Sequence, residues 1–281
     1  MIKPILPPQA SWNLSFSGAG HLLSYHLGVA RILHGSYKSA TINSVAGSSS
    51  GAIIAAVLTC FPHRLEEYTD RFLRDGGRAY AIFHDMLDDT PISDQAQMTN
   101  LPTLHIATTS CSSGSPKLFT FEPDDVHTER DKLLLAVRAS CRLPVSFHPW
   151  DIFATQHPTY PEEDGIEIAG KFYVDGGIAA PCPQLQNSMT NIVISPISGS
   201  SSAIWNIRPV DNSWKIPLVG DLTARCGTFT VRPSAENLRA LILTVGTATP
   251  HALKDWHQRG IRDANMFLRK WSKEHNMYAE S

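Results

Sequence analysis

The first 65 residues contain no carboxylate. Four basic side chains lie there (Lys3, Arg31, Lys38, Arg64), and the first acid is Glu66. The rest of the chain therefore carries 20 basic and 26 acidic residues. An acid-free opening reads as buried chain with little solvent face, or as a region that keeps negative charge away from an anionic substrate or intermediate; burial is the simpler reading. A basic excess is also missing. With 24 Lys+Arg against 26 Asp+Glu the net charge is -2, which argues against a nucleic-acid partner held by a basic face. No CxxC pair occurs among Cys60, Cys111, Cys141, Cys182 and Cys226, and their number is odd. A disulfide framework and a structural zinc site lose support, leaving buried free thiols in a reducing compartment.

Long hydrophobic runs are absent too. The longest apolar stretch near the N-terminus, residues 52–58, falls far short of the ~20 residues a membrane span needs. The opening MIKPILPPQASW has no apolar core of a secretory signal. We therefore expect an intracellular, cytoplasmic protein whose membrane contact is peripheral. The sequon Asn13-Leu14-Ser15 falls in an expected buried strand and is set aside. What remains is 281 residues at 42% hydrophobic and 18% charged, enough for one large globular core. No internal repeat or composition break calls for a second domain.

Residues 12–17 read as a strand ending at Gly18, and 21–34 as a helix with Leu22, Leu23, Leu27, Ala30 and Leu33 near helical spacing. A second strand (41–46) and a second helix (50–60) follow. Strand–turn–helix twice within sixty residues predicts an α/β fold with a mainly parallel sheet. Further on, the pattern predicts a helix over 65–81, strands over 103–109 and 117–121, and a helix over 132–141. Short strands are expected at 172–174 and 191–195. Thr249 and Pro250 cap and open a closing helix with an apolar face through Trp256, Ile261, Ala264, Leu268 and Trp271. Residues 198–233 have no period and read as a long loop or lid. Trp205, Trp214, Ile216, Leu218 and Val219 there would form an apolar docking patch or pack in the core.

Gly47-Ser48-Ser49-Ser50-Gly51 fits G-x-S-x-G between a strand and a helix. In such an elbow the serine sits on a sharp strained turn, small neighbours let the turn form, and the helix N-terminus favours developing negative charge. An ordinary Ser/Gly turn also fits the pentapeptide alone; the strand–helix context favours the elbow. Ser17-Gly18-Ala19-Gly20 is a second glycine turn that can hold an anion on backbone N–H groups. A dinucleotide fingerprint needs a third glycine where Leu23 stands and an acid about 20 residues on, and neither is present. No G-K-[ST] follows, so a P-loop is excluded as well. An oxyanion hole remains. Asp175-Gly176-Gly177, after a strand, leaves a carboxylate open to a neighbour, though an Asp-Gly turn is common. The histidines after Asp175 (His251, His257, His275) lie on or beside the closing helix, not on a loop after a strand. A Ser49–Asp175 dyad therefore fits better than a Ser–His–Asp triad.

With these motifs in hand the chain resembles the patatin-like phospholipase family, and within it the adipose triglyceride lipase and adiponutrin group. The likeness rests on LSFSGAGHLLSYHLGVARIL (14–33), SVAGSSSGAIIAAVL (44–58), ASCRLPVSFHP (139–149) and YVDGGIAAPCP (173–183). VISPISG (193–199) and RGIRDANMFLRKW (259–271) resemble the subgroup. The resemblance implies a single three-layer α/β/α domain over residues 13–271, with 1–12 and 272–281 as terminal extensions. It implies Ser49 as nucleophile and Asp175 as proton acceptor in lipid ester hydrolysis. It also implies oxyanion donors on the Gly18, Ala19 and Gly20 backbone, Gly47 and Gly51 shaping the elbow, and Gly176 and Gly177 completing the aspartate motif. Leu23 departs from the family pattern, which has glycine there, and bears on the packing at the start of the first helix. No metal and no organic cofactor is expected; the acids Glu162, Glu163, Asp164 and Glu167 lack calcium-loop spacing. The expected substrate is an acylglycerol or phospholipid, met at a lipid-droplet or membrane surface.

Overall fold

The computed structural model describes residues 10–35, 40–75, 77–90, 101–148, 151, 158–185, 190–201, 205–209, 224–226, 229–231 and 234–279. β1 (Ala10–Phe16) runs into a 3-10 turn (Gly20–Leu22) and α1 (Leu23–Gly35). β2 (Ala40–Ser48) leads into α2 (Ser50–Cys60). Both units match the sequence pattern. The expected helix over 65–81 is instead two, α3 (Leu65–Asp75) and α4 (Ala79–Asp88). Between them Gly77 takes φ +110, a conformation outside the helical region that glycine tolerates. β3 (Thr103–Ser110) and β4 (Pro116–Phe121) are followed by α5 (Asp125–Thr128) and α6 (Arg130–Ser140). Then come β5 (Ile166–Ile168), β6 (Lys171–Asp175), the short α7 (Gly176–Ala179) and β7 (Thr190–Ile194). β8 (Ser200–Ser201), β9 (Trp205–Ile207), β10 (Ala224–Cys226) and β11 (Phe229–Val231) precede α8 (Ala235–Val245) and α9 (Pro250–Ala279).

The architecture is the expected α/β one, a three-layer α/β/α arrangement on a central sheet of order β5-β6-β3-β2-β1-β7-β9, with β4 also paired to β3. β1, β2, β3, β7 and β9 pair in parallel, while β4, β5 and β6 join antiparallel. β8, β10 and β11 make a small antiparallel sheet of their own. The segment read as a structureless loop therefore contributes one strand, β9, to the main sheet. Trp205 on that strand packs its ring 4.3 Å from Trp271 and 6.0 Å from Phe267, so the core reading holds for it. Trp214, Ile216, Leu218 and Val219 lie outside the described residues.

Every residue of α2 is buried, which accounts for its lack of charge. It lies against β1, β2 and β3 and beneath α1, α4 and α6. α1 crosses α9 at backbone contact. A Cβ on Gly28 would sit 2.1 Å from the His257 carbonyl oxygen, and one on Gly260 would sit 2.1 Å from that of Tyr25. Trp256 and Trp271 on α9 are buried, as the apolar stripe anticipates. Cys60, Cys111 and Cys141 are free thiols. Among the described residues no helix is long and apolar enough to cross a membrane.

Candidate active site

The register of the sheet brings three turns to one edge. Phe16 lies beside Gly47, Ser48 beside Ala107, and Thr108 beside Asp175. β1 and β2 end there in parallel, so the Gly18 loop and the elbow leave the sheet side by side. β6 reaches the same edge although it runs antiparallel to β3. Sites in open α/β sheets form at such carboxyl ends.

Ser49 occupies the turn between β2 and α2 with φ 52 and ψ -128. A non-glycine residue held there costs on the order of 1–3 kcal/mol, so the surroundings must enforce it. Gly47 and Gly51 do so. A Cβ on Gly47 would meet the Gly51 carbonyl oxygen at 2.0 Å, and one on Gly51 would meet that of Phe16 at 2.4 Å. The strand end, the helix start and the end of β1 are thus packed backbone on backbone. A hydroxyl from α6 adds a bridge. Ser140 Oγ donates to the Ala107 carbonyl at 2.6 Å and accepts the Ser49 N–H at 2.8 Å. Sequence reasoning missed Ser140. It lies inside the ASCRLPVSFHP stretch, but nothing in its local pattern marks a role.

Ser49 Oγ–H donates to Asp175 Oδ2 at 2.8 Å across 126 residues of chain. The other carboxyl oxygen, Oδ1, accepts the Gly177 N–H at 2.7 Å, so Asp175 caps α7 while facing the serine. Gly176 permits this corner, because a Cβ there would lie 2.0 Å from the Ala107 carbonyl oxygen. Asp175 is 4% exposed, and burial pushes its carboxyl up to about 7; the bonds from Ser49 and Gly177 pull it partly back. The neighbouring Cys141 thiol is itself driven well up by burial, so it remains neutral and adds no charge. A carboxyl poised near neutrality beside a hydroxyl suits proton acceptance.

On the glycine loop, Gly18 faces Ser49. Its missing Cβ would sit 3.4 Å from that of Ser49. The Gly18 N–H donates to the Pro181 carbonyl at 3.0 Å, and the Ala19 N–H donates to Ser50 Oγ at 3.0 Å. Gly20 has φ +51 and presses on α8, where a Cβ would strike the Thr244 carbonyl oxygen at 1.9 Å. Leu23 is fully buried at the start of α1. Behind the loop, buried His26 donates Nε2–H to the Ser17 carbonyl at 2.9 Å. Burial lowers its imidazole to about 4, which keeps it neutral.

Among the described residues no histidine after Asp175 is hydrogen-bonded to the Ser49 or Asp175 side chain. His257 is buried with its ring in the fields of Arg31 and Asp70, and is lowered to about 4 mainly by burial. His251 is exposed on the first turn of α9. The side chain of His275 lies outside the described residues. Asp164 accepts from Ser146 Oγ at 3.0 Å instead of joining a cation site. Among the described residues no cluster of three or more His, Cys, Asp or Glu side chains is placed to hold a metal.

The model of the patatin-like phospholipase family matches residues 14–186, which span the glycine loop, the elbow and the aspartate motif. Patatin-like phospholipase domain-containing protein 2 of Rattus norvegicus is 27% identical over 290 aligned positions, covering 95% of this chain and 52% of that protein. Patatin-like phospholipase domain-containing protein 4 of Homo sapiens is 24% identical over 92% of this chain and 96% of its own length. The 1-acylglycerol-3-phosphate O-acyltransferase Pnpla3 of Mus musculus is 25% identical over 68% of this chain and 45% of that protein. The chain thus spans about half the length of the first of these relatives. With its family model running from the end of β1 past the aspartate corner, the chain belongs to the patatin-like phospholipase family.

Proposed function

We propose that this chain is a serine acyl hydrolase of lipids, with acylglycerol as substrate class and Ser49 and Asp175 as its catalytic pair. The observation that carries the reading is the 2.8 Å bond from Ser49 Oγ to a buried carboxyl whose proton affinity is raised toward neutrality. Ser49 attacks the ester carbonyl while Asp175 Oδ2 takes its proton. Donors at the seam between the glycine loop and the start of α2 hold the oxyanion. The departing alkoxide recovers the proton from Asp175. Water, deprotonated by the same carboxylate, then releases the fatty acid. No step needs a metal or an organic cofactor.

The expected substrate meets the site from a lipid surface, at a lipid droplet or membrane. Leu143 and Val145 follow Arg142, whose carbonyl accepts the Asp175 N–H, and Val145 is 85% exposed. Leu238, Leu241 and Ile242 are exposed on α8, whose end touches Gly20. Apolar side chains left in water beside a site favour contact with an apolar phase. Replacing both Val145 and Ile242 by Asp is expected to lower hydrolysis of emulsified triacylglycerol at least tenfold. Hydrolysis of a soluble short-chain ester should change less than about twofold, because burying two charges in an apolar phase penalises only the surface step. Equal losses on both substrates would remove the surface reading.

Fluorophosphonate labelling read by intact mass tests the hydrolase itself. Wild type should carry one adduct and Ser49→Ala none. A folded wild type without an adduct would instead favour a non-catalytic lipid-binding protein. Triacylglycerol compared with phospholipid on the labelled-competent protein then separates a lipase from a phospholipase A or lysophospholipase with the same dyad.

A further inference from the structure

We infer that the Ser50 hydroxyl is a direct oxyanion donor, relaying the Ala19 amide to the reacting carbonyl; this rests on the hydrolase reading above. Two of the loop amides implied as oxyanion donors already have acceptors within the protein: Gly18 N–H is bonded to Pro181 O and Ala19 N–H to Ser50 Oγ. Ser50 Oγ therefore takes up the Ala19 amide that the resemblance implies for the oxyanion. A hydroxyl that accepts one hydrogen bond still has its own proton to give. Ser50 directly follows the nucleophile as the first residue of α2, is 5% exposed, and closes the seam between the elbow and the glycine loop. Gly18 abuts Ser49 in the same seam.

Accepting from an amide polarises the hydroxyl and strengthens its own donation. The position at the helix N-terminus adds the favourable end of the backbone dipoles. The Ser50 proton is not transferred. As the Ser49 Oγ–carbon bond forms, the Ser49 proton moves to Asp175 and the carbonyl π pair becomes the oxyanion. Ser50 O–H then shortens its hydrogen bond to that oxygen. When the C=O re-forms, the alkoxide leaves with the proton from Asp175 and Ser50 is unchanged.

Ser50→Ala, Ser50→Gly and Ser50→Thr would be compared with wild type on a soluble p-nitrophenyl ester and by the rate of fluorophosphonate labelling. Melting curves would confirm that each is folded at the assay temperature. Loss of one oxyanion donor lowers kcat roughly 100- to 1000-fold in other enzymes. We expect a kcat loss of about that size in Ser50→Ala and Ser50→Gly, KM within about threefold, slower labelling, and recovery of at least tenfold in Ser50→Thr. A hydroxyl that merely anchors the loop predicts the opposite, because its removal frees the Ala19 amide for the oxyanion. Ser50→Ala or Ser50→Gly at or above wild-type kcat would therefore overturn the inference. So would a folded Ser50→Thr as slow as Ser50→Ala. If wild type neither turns over nor labels, the hydrolase reading fails and takes this one with it.

Discussion

Asp175→Asn is expected to lose activity about 1000-fold or more while making the protein more stable at pH 8. The activity loss follows from removing the carboxylate 2.8 Å from Ser49 Oγ, the proton acceptor we propose. General-base catalysis typically contributes 100- to 10,000-fold, and among the described residues no other acceptor is bonded to that hydroxyl. The stability gain follows from the desolvation that raises Asp175 to about 7. An unfolded aspartate titrates near 3.8, so the folded state holds this proton more tightly over the window from about 3.8 to 7. Stability contributed by the neutral carboxyl is fully present below that window and is lost as pH rises through about 7. At ~1.4 kcal/mol per pH unit, the ionised carboxylate costs about 4 kcal/mol at pH 8. Asparagine removes that cost and keeps an acceptor for the Gly177 N–H.

Melting curves at pH 5 and pH 8 check the stability half. The variant should melt several degrees higher at pH 8, with the gap closing toward pH 5. No gap at pH 8 would mean that Asp175 is not ionised against burial. In wild type, kcat/KM should rise about tenfold per pH unit up to about 7 and then level, because only the carboxylate can accept the proton. His26 and His257 work in the opposite sense. Both are depressed to about 4, so their contribution is present above pH 6.5 and is lost as pH falls toward 4. Acid destabilisation between pH 6.5 and 4 should accordingly be steeper in Asp175→Asn, where the opposing Asp175 linkage is gone.

The second large effect is expected at the crossing of α1 and α9. Gly260→Ala would place a methyl 2.1 Å from the Tyr25 carbonyl oxygen and 3.1 Å from the Val29 nitrogen. Both contacts are helix backbone, which cannot swing aside, so the helices must separate. Overpacking typically costs 1–3 kcal/mol, and we place this change at about 3. Separation would also strip the buried edge contact between Tyr25 and Trp256, whose rings lie 6.3 Å apart. It would shift α1, which carries His26 behind the Ser17 carbonyl. The melting temperature should fall by roughly 6–12 °C for a domain of this size, and the ester hydrolysis rate should fall with it. Gly35→Ala is the control. Among the described residues nothing lies within 4 Å of its Cβ position, so its melting temperature should stay within about two degrees of wild type. Equal shifts in the two variants would mean that the crossing tolerates separation.

The units β1–α1 and β2–α2 were legible because their signals are local. Apolar periodicity sets strand or helix, and the turns between them are written in glycine and serine at fixed spacing. The same holds for the apolar stripe of α9, whose Trp256 and Trp271 are buried as their spacing requires. Where the pattern misled, a single backbone angle was responsible. Residues 65–81 read as one helix because α3 and the start of α4 share apolar spacing, and the φ of Gly77 ends that continuity. β9 was hidden for a different reason: three residues carry too little period to be seen, and only pairing with β7 makes them a strand.

The sequence by itself determined which groups leave the strands at tight turns: a serine before α2, amides before α1, an aspartate before α7. The tertiary structure alone decided their relations. It brings Ser49 and Asp175 together over 126 residues, inserts the Ser140 hydroxyl beneath the elbow, and directs the Ala19 amide to Ser50. It also sets the proton affinity of Asp175, because desolvation sums the surroundings of a group in space. Neighbours along the chain fix conformation, whereas neighbours across the sheet fix chemistry, and only the folded register names the second set.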